Sequence, residues 1–367
     1  MKIGILTLPL HTNYGGILQA YALQTVLERM GHEVFVLNKE NKIRLYGYAY
    51  LYIKRIIKKI FIDRHTLIFL ERERRRNSII ACRYTKKFID DNVHIIEVKR
   101  WRELKEKGFD AIVVGSDQIW RPKYCVKIED SFLGFTTEWN IKRISYAASF
   151  GVDNWEYSKK ETKICRKLIT LFSGISVRES SAVGLCKKHF DVDAIKVLDP
   201  TLLLSKDDYN KLIKSKIKEN GNYVFSYILD NSQILRNMIC KIANKISLSN
   251  IEGNKSKTGI MISKDIQPPV EDFLSGIKNS VCVITDSFHA CIFAMLYEKP
   301  FIVIANNDRG MSRVKSLLEQ FDQNDRLISA DDIDSIDYSL LEKPVIIEPF
   351  LHKYRQSSLE FLVGKLK

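Results

Sequence analysis

The stretch Val281-Cys-Val-Ile-Thr-Asp-Ser-Phe-His289-Ala-Cys-Ile-Phe-Ala-Met295 decides the fold. A short apolar, β-branched run over 281–285 predicts a buried strand, and the apolar run that follows has the length of a helix. Between them lies a polar knuckle, Thr285-Asp286-Ser287. His289 falls in the first helical turn, where backbone N–H groups have no intrahelical partner and point beyond the strand end. Such an end suits an anion, and a histidine beside it adds a proton donor or acceptor. The joint reads as half of an active site for a phosphorylated small molecule.

The same alternation runs through the chain. A strand at Lys2–Leu6, a polar glycine turn at Asn13–Gly16, a helix over 17–30 ended by Gly31-His32 and a strand over 33–37 make a βαβ unit, so the sheet is expected to be parallel. Helical segments are expected over 43–62 and 66–90, and strands at Ala111–Val114 and 143–147. A second series follows: a helix over 159–172, a strand at Gly174–Val177, a helix from Glu179, and strands over 194–198, 223–229 and at Phe301–Ile304. The predicted fold is α/β, with two Rossmann-like doubly wound domains facing a cleft. The expected divisions are 1–155 on the acceptor side, 156–350 on the donor side, and a closing helix within 351–367 that packs back on the first domain. Ligands of such sheets sit beyond the carboxyl ends of the strands.

Composition narrows the partners. The formal net charge of +14 favours an anionic one: a phosphorylated metabolite, a nucleotide, an anionic membrane face or nucleic acid. No nucleic-acid recognition module is visible. The seven cysteines are odd in number and none is in C-x-x-C spacing, so they read as reduced core residues. No ligand cluster has metal spacing, and no G-x-G-x-x-G calls for a nicotinamide cofactor, so neither metal nor cofactor is expected. The first residues read as a strand and not as a signal peptide. No uncharged apolar run reaches the ~18 residues of a membrane span, so a cytoplasmic location is expected.

Six further segments carry candidate chemistry. Asn13-Tyr14-Gly15-Gly16 lets backbone approach a ligand at a helix start, or is simply a tight turn. In Gly115-Ser116-Asp117-Gln118-Ile119-Trp120, Asp117 is positioned to accept a proton from a sugar hydroxyl and Trp120 to stack on a sugar ring; the bland reading is an N-cap aspartate and a core tryptophan. Arg178 follows a buried strand, where its planar fork suits a carboxylate or phosphate. Asp199-Pro200-Thr201 reads as a turn cap. Arg309 and Arg313 flank a second helix start that favours anions. Finally, residues 48–62 place Lys54, Arg55, Lys58 and Lys59 opposite Ile53, Ile56, Ile57 and Ile60, which suits an anionic membrane surface or an ordinary solvated helix.

Taken together, the motifs resemble the polysaccharide pyruvyl transferase family. Asn13-Tyr14-Gly15-Gly16, Gly115 to Trp120, Ser176-Val177-Arg178-Glu179, Asp199-Pro200-Thr201 and Ser287-Phe288-His289-Ala290 come in the family's order. The resemblance implies a two-domain arrangement similar to the GT-B glycosyltransferases. It also implies transfer of a pyruvyl group from phosphoenolpyruvate to a sugar of a cell-surface polysaccharide or its lipid-linked precursor, giving a cyclic ketal. The family's donor-binding arginine maps onto Arg178 and its important histidine onto His289. On this reading Ser287, Arg309 and Arg313 join Arg178 around the donor, while Asn13, Gly15, Gly16, Gln118 and Trp120 face the acceptor. His289 and Asp117 are the expected catalytic pair. Two rivals stay open: a GT-B-type nucleotide-sugar glycosyltransferase, and a non-catalytic membrane-peripheral protein of polysaccharide assembly.

Overall fold

Two parallel sheets organise the chain. The computed structural model describes residues 1–39, 52, 54–56, 70–213, 221–229, 233–253, 265–306, 310–329 and 336–367. The first sheet has the strand order β3-β2-β1-β4-β5-β6-β7. Its strands are β1 (Lys2–Leu6), β2 (Glu33–Lys39), β3 (Ile95–Val98), β4 (Ala111–Val114), β5 (Lys142–Ala148), β6 (Gly174–Val177) and β7 (Ile195–Lys196). The second sheet has the order β12-β11-β10-β8-β9. It contains β8 (Tyr223–Tyr227), β9 (Ser249–Glu252), β10 (Cys282–Thr285), β11 (Phe301–Ile304) and β12 (Leu327–Ile328). All neighbours pair in parallel. The fold is thus two Rossmann-like α/β domains in a GT-B-like arrangement.

Central strands are mostly apolar because helices cover both sheet faces. Every residue of β4, β8, β10 and β11 is buried, whereas the edge strand β9 (Ser-Asn-Ile-Glu) is half exposed and half intermediate. The strand order reverses between β1 and β4 in the first sheet and between β8 and β10 in the second. Those reversal points leave crevices at the carboxyl strand ends.

One expectation needs correction. The division at 155/156 cuts through the first sheet, because β6 pairs with β5 (Ile144 opposite Gly174) and β7 with β6 (Ser176 opposite Ile195). A short apolar run announces a strand but not the sheet that its backbone will join. Arg178 therefore rises from the first domain, not the second. The helix expected over 66–90 is broken into Leu70–Ala81 and Arg83–Asn92. Of 43–62, only Tyr52 and residues 54–56 are described, so the segment lies largely outside the described residues.

The last helix, Glu348–Leu366, lies on the first sheet: Leu198 N donates to Ser358 Oγ at 3.0 Å, and Lys142 Nζ donates to the Leu366 carbonyl at 3.1 Å. A shared core also ties the domains together. The helix Phe288–Leu296 is buried on every side and packs on the helix Tyr14–Arg29 of the first domain. Tyr14 reaches into the second domain, with its ring 4.8 Å from Phe273 and 5.6 Å from Tyr227, and its hydroxyl donating to the Pro268 carbonyl at 2.7 Å. One apolar cluster holds Ile5 and Leu18 together with Val283 and Phe293. Each such fully buried side chain contributes ~1.5–3 kcal/mol, so the cleft has a fixed floor.

Candidate active site

The knuckle after β10 is stitched to both neighbouring strand ends. Thr285 Oγ1 donates to the Tyr227 carbonyl at 2.6 Å and accepts from Ser287 N at 3.0 Å. Asp286 Oδ1 accepts from Leu229 N at 2.7 Å, across the reversal point between β8 and β10, and its Oδ2 accepts from Asn306 Nδ2 at 3.2 Å. Ser287 caps the helix Phe288–Leu296 by accepting from Ala290 N. The N–H groups of Phe288 and His289 find no hydrogen-bond partner among the described residues. This helix start therefore presents free donors and a positive dipole end.

The first domain supplies the facing wall. Asn13 Oδ1 accepts from Gly15 N at 3.0 Å and Gly16 N at 3.4 Å, capping the first helix. Gly15 lies against the His289 imidazole so closely that a Cβ there would fall onto the ring. Asp117 has a left-handed backbone (φ 71°), fixed as Ser149 N donates to its carbonyl at 3.1 Å. A non-glycine residue held there stores ~1–3 kcal/mol of strain, a feature that clusters at functional sites. Its carboxylate faces guanidinium groups from both domains: Arg178 Nη2 at 3.6 Å and Arg313 Nη1 at 3.8 Å.

Beneath this wall lies a buried charge network. Asp199 Oδ1 accepts from Thr201 N and Oγ1, as the expected turn cap, while its Oδ2 accepts from Ser116 Oγ at 2.7 Å and Arg178 Nη1 at 2.8 Å. His289 Nε2 stands 3.5 Å from the same Oδ2 and makes no hydrogen bond to it. Burial alone would push the Asp199 carboxyl up, but His289, Arg178 and Thr201 together hold it well below the usual carboxylate range. Burial likewise opposes the Arg178 charge, and the Asp199, Asp117 and Glu179 carboxylates more than offset it. Phe288 sits between two cations, its ring centre 4.4 Å from the Arg178 guanidinium and 5.7 Å from that of Arg313. Burial and then the nearby Arg178 bring Arg313 down to about 10, which leaves it charged at neutral pH.

These walls enclose a cavity of about 300 Å³ between the domains, lined by Asn13, Asp117, Gln118, Ser287, His289 and Arg313 among others. Gly15 and Gly16 lie behind it, against His289 and near Asp117. Two expected residues stand elsewhere. Trp120 is fully buried, stacked on Phe132 at 4.9 Å, with its indole N–H donating to the Ser131 carbonyl, so it offers no face to a sugar. Arg178 is buried behind Phe288: its Nη1 donates to Asp199, while its Nε and Nη2 make no hydrogen bond among the described residues and Nη2 stands 3.6 Å from Asp117 Oδ1 of the cavity wall. Arg309 lies outside the described residues.

Sequence reasoning named Asp286 in the polar knuckle without giving it a role and passed over Asn306 and Tyr124; all three line the cavity. Asp286 had a signal, a carboxylate directly after a buried strand. Tyr124 had none, since it belongs to an irregular turn. Among the described residues, no group of His, Cys, Asp and Glu is arranged to hold a metal ion, and no helix is long and apolar enough to cross a membrane.

Comparison with known proteins agrees with this arrangement. No curated protein matches the chain. Among solved structures, the S. aureus MnaA–UDP co-structure superposes with a TM-score of 0.52 at 11% identity, covering 99% of this chain and 97% of that one. UDP-GlcNAc 2-epimerase from Neisseria meningitidis bound to UDP-GlcNAc gives 0.51 at 11% identity, with 99% and 100% covered. The UDP-GlcNAc 2-epimerase of Methanocaldococcus jannaschii gives 0.50 at 14%, with 98% and 93% covered. At such identities the likeness is one of fold. The polysaccharide pyruvyl transferase family model matches residues 13–308, from the Asn13 cap to the loop beyond β11. With that match spanning both walls of the cleft, the chain belongs to the polysaccharide pyruvyl transferase family and is an enzyme of the transferase class.

Proposed function

We propose that the enzyme moves the pyruvyl group of phosphoenolpyruvate onto a sugar of a cell-surface polysaccharide or its lipid-linked precursor, forming a ketal and releasing phosphate. One observation carries this reading. The buried Arg313 guanidinium and the helix start at Ser287–His289 line one side of a cavity whose other side bears Asp117 and Gln118. A small donor with a carboxylate and a phosphate needs such fixed cationic and N–H groups away from bulk water. Arg178, one ring deeper, adds positive potential and two unpartnered guanidinium nitrogens beside Asp117.

The chemistry follows from the donor. Protonation of its methylene carbon makes C2 electrophilic. Two sugar hydroxyl oxygens then bond to C2 as the C2–O bond to phosphate breaks. Of the two hydroxyl protons, one is balanced by the new methyl group and the other leaves with phosphate. His289 lines the donor side and supplies a proton to the departing phosphate. Asp117, across the cavity, takes a proton from the attacking hydroxyl. The acceptor's lipid anchor would bring the enzyme to the inner face of the membrane, in keeping with its net charge of +14.

The test is calorimetric titration with phosphoenolpyruvate, followed by phosphate release and acceptor mass gain over a panel of aryl and lipid-linked glycosides. His289→Ala should lower turnover by ~10²–10⁴-fold, the contribution of a positioned acid or base. Full turnover in that variant would remove His289 from the chemistry. Tight binding of UDP-N-acetylglucosamine with no binding of phosphoenolpyruvate would replace the reading with nucleotide-sugar transfer.

A further inference from the structure

A second cavity, of about 110 Å³, opens beside the first and shares Leu8, Pro9 and Tyr124 with it. It belongs wholly to the first domain, at the carboxyl ends of β1 and β2, on the side away from His289 and Arg313. We propose that this cavity is an acceptor subsite, holding the sugar unit next to the one that receives the pyruvyl group. The inference rests on the transfer reading above and names where the rest of the acceptor lies.

Three features favour a neutral sugar. The polar groups of the floor are tied to one another: Asp130 Oδ2 accepts from Lys39 Nζ and from Trp101 Nε1, both at 2.8 Å. The Lys39 ammonium lies 4.9 Å from the Trp101 ring centre, and the ring itself stacks on Phe135. Such a carboxylate–ammonium pair offers acceptors and donors to hydroxyls and no free charge of its own to an anion, while Lys127 joins the lining as an exposed cation. Second, Tyr124 forms the wall common to both cavities and stays 41% exposed. The Arg121 guanidinium lies over its ring at 5.3 Å and is itself clamped by two 2.9 Å hydrogen bonds to Glu156. A ring braced from behind is a platform for the apolar face of a pyranose, the role that the sequence suggested for Trp120. Third, the shared wall sets the two cavities side by side, as neighbouring units of a linked sugar chain require.

The rival occupant is the diphosphate of a lipid-linked precursor, and the experiment separates the two. The chain has four tryptophans, so protein labelled with ¹⁵N-tryptophan gives a resolvable indole signal for Trp101, assigned with Trp101→Phe. Titration with p-nitrophenyl β-lactoside, without phosphoenolpyruvate, should shift that signal, whereas inorganic pyrophosphate should not. Tyr124→Ala should weaken the disaccharide by about tenfold, and Tyr124→Phe should restore it, as expected of stacking and not of the hydroxyl. A Trp101 signal that moves with pyrophosphate alone, or with neither probe, overturns the proposal. Failure of the donor reading would show separately, as absent phosphoenolpyruvate binding with the disaccharide response intact.

Discussion

Gly15 and His289 illustrate what one missing methyl group can hold in place. The imidazole occupies the space that a Cβ on Gly15 would need, and a side chain of the second domain is thereby seated in the first. Gly15→Ala is expected to push the ring out of the cavity wall. The enzyme should still fold, losing ~1–3 kcal/mol to overpacking, while turnover falls by a factor near that of removing the imidazole, ~10²–10⁴. Thermal unfolding and phosphate release on the same preparation check both halves. Unchanged turnover would mean that the seat of His289 is irrelevant to the reaction. Arg178 makes a contrasting case. Its motif was legible, but not that its Nη1 would be paired with a buried Asp199 inside the protein. Removing one partner of a buried pair costs ~3–5 kcal/mol, so Arg178→Met should lower the melting temperature sharply, with Arg178→Lys intermediate. An unaltered melting temperature in Arg178→Met would contradict the buried pairing. Trp120 shows the limit of residue-level reading: aromatic type and spacing suit a sugar platform and a core anchor alike, and only burial decides.

At the level of elements, the apolar runs at Ala111–Val114, Gly174–Val177 and Phe301–Ile304 form strands with the bounds that their hydrophobicity predicts. The edge strand β9 escaped detection because a strand exposed on one flank needs no apolar run. Sheet membership was not legible at all, since hydrogen-bond partners are chosen by tertiary packing. The same holds for the contact between the loop after β5 and the segment before the helix Ser312–Gln320. Gly310 has φ 77°, and a Cβ there would collide with the Gly151 carbonyl across the domain boundary. Glu179 braces that loop by accepting from Ser149 Oγ and from the N–H groups of Phe150 and Gly151. Backbone cannot yield as a flexible side chain can, and the left-handed conformation alone costs a residue with a Cβ ~1–2 kcal/mol. Gly310→Ala should therefore move Arg313, three residues on, and raise the apparent KM for phosphoenolpyruvate more than it lowers the melting temperature. Initial-rate kinetics beside calorimetry decide this; a normal KM would show that the domains do not need to meet here.

For the whole molecule, acid is the informative perturbation. Several carboxylates that brace distant parts of the chain are held below their ordinary range: Asp199 by the balance of burial against His289 and Arg178, Asp208 chiefly by its hydrogen bond from Arg29, and Glu156 chiefly by that from Arg121. In the unfolded chain these groups titrate near ~4. A carboxylate with a depressed folded value stabilises the fold fully above its unfolded value, and that contribution disappears as the pH falls below it, because the unfolded chain then binds more protons. The melting temperature should decline gently between about pH 7 and 5, where histidines with a lowered folded value such as His32 and His189 bind protons more readily in the unfolded chain, and fall steeply below about pH 4. The chain already carries a net charge of +14, so neutralising acidic groups also adds self-repulsion of the same sign. Salt separates the two causes. Raising the ionic strength to about 0.5 M screens surface repulsion, but it leaves the loss at the buried Asp199–Arg178 pair almost untouched. Calorimetry at about pH 3.5 should thus recover only part of the lost melting temperature on adding salt. Complete recovery would place acid lability in the net charge and not in the carboxylates beneath the active site.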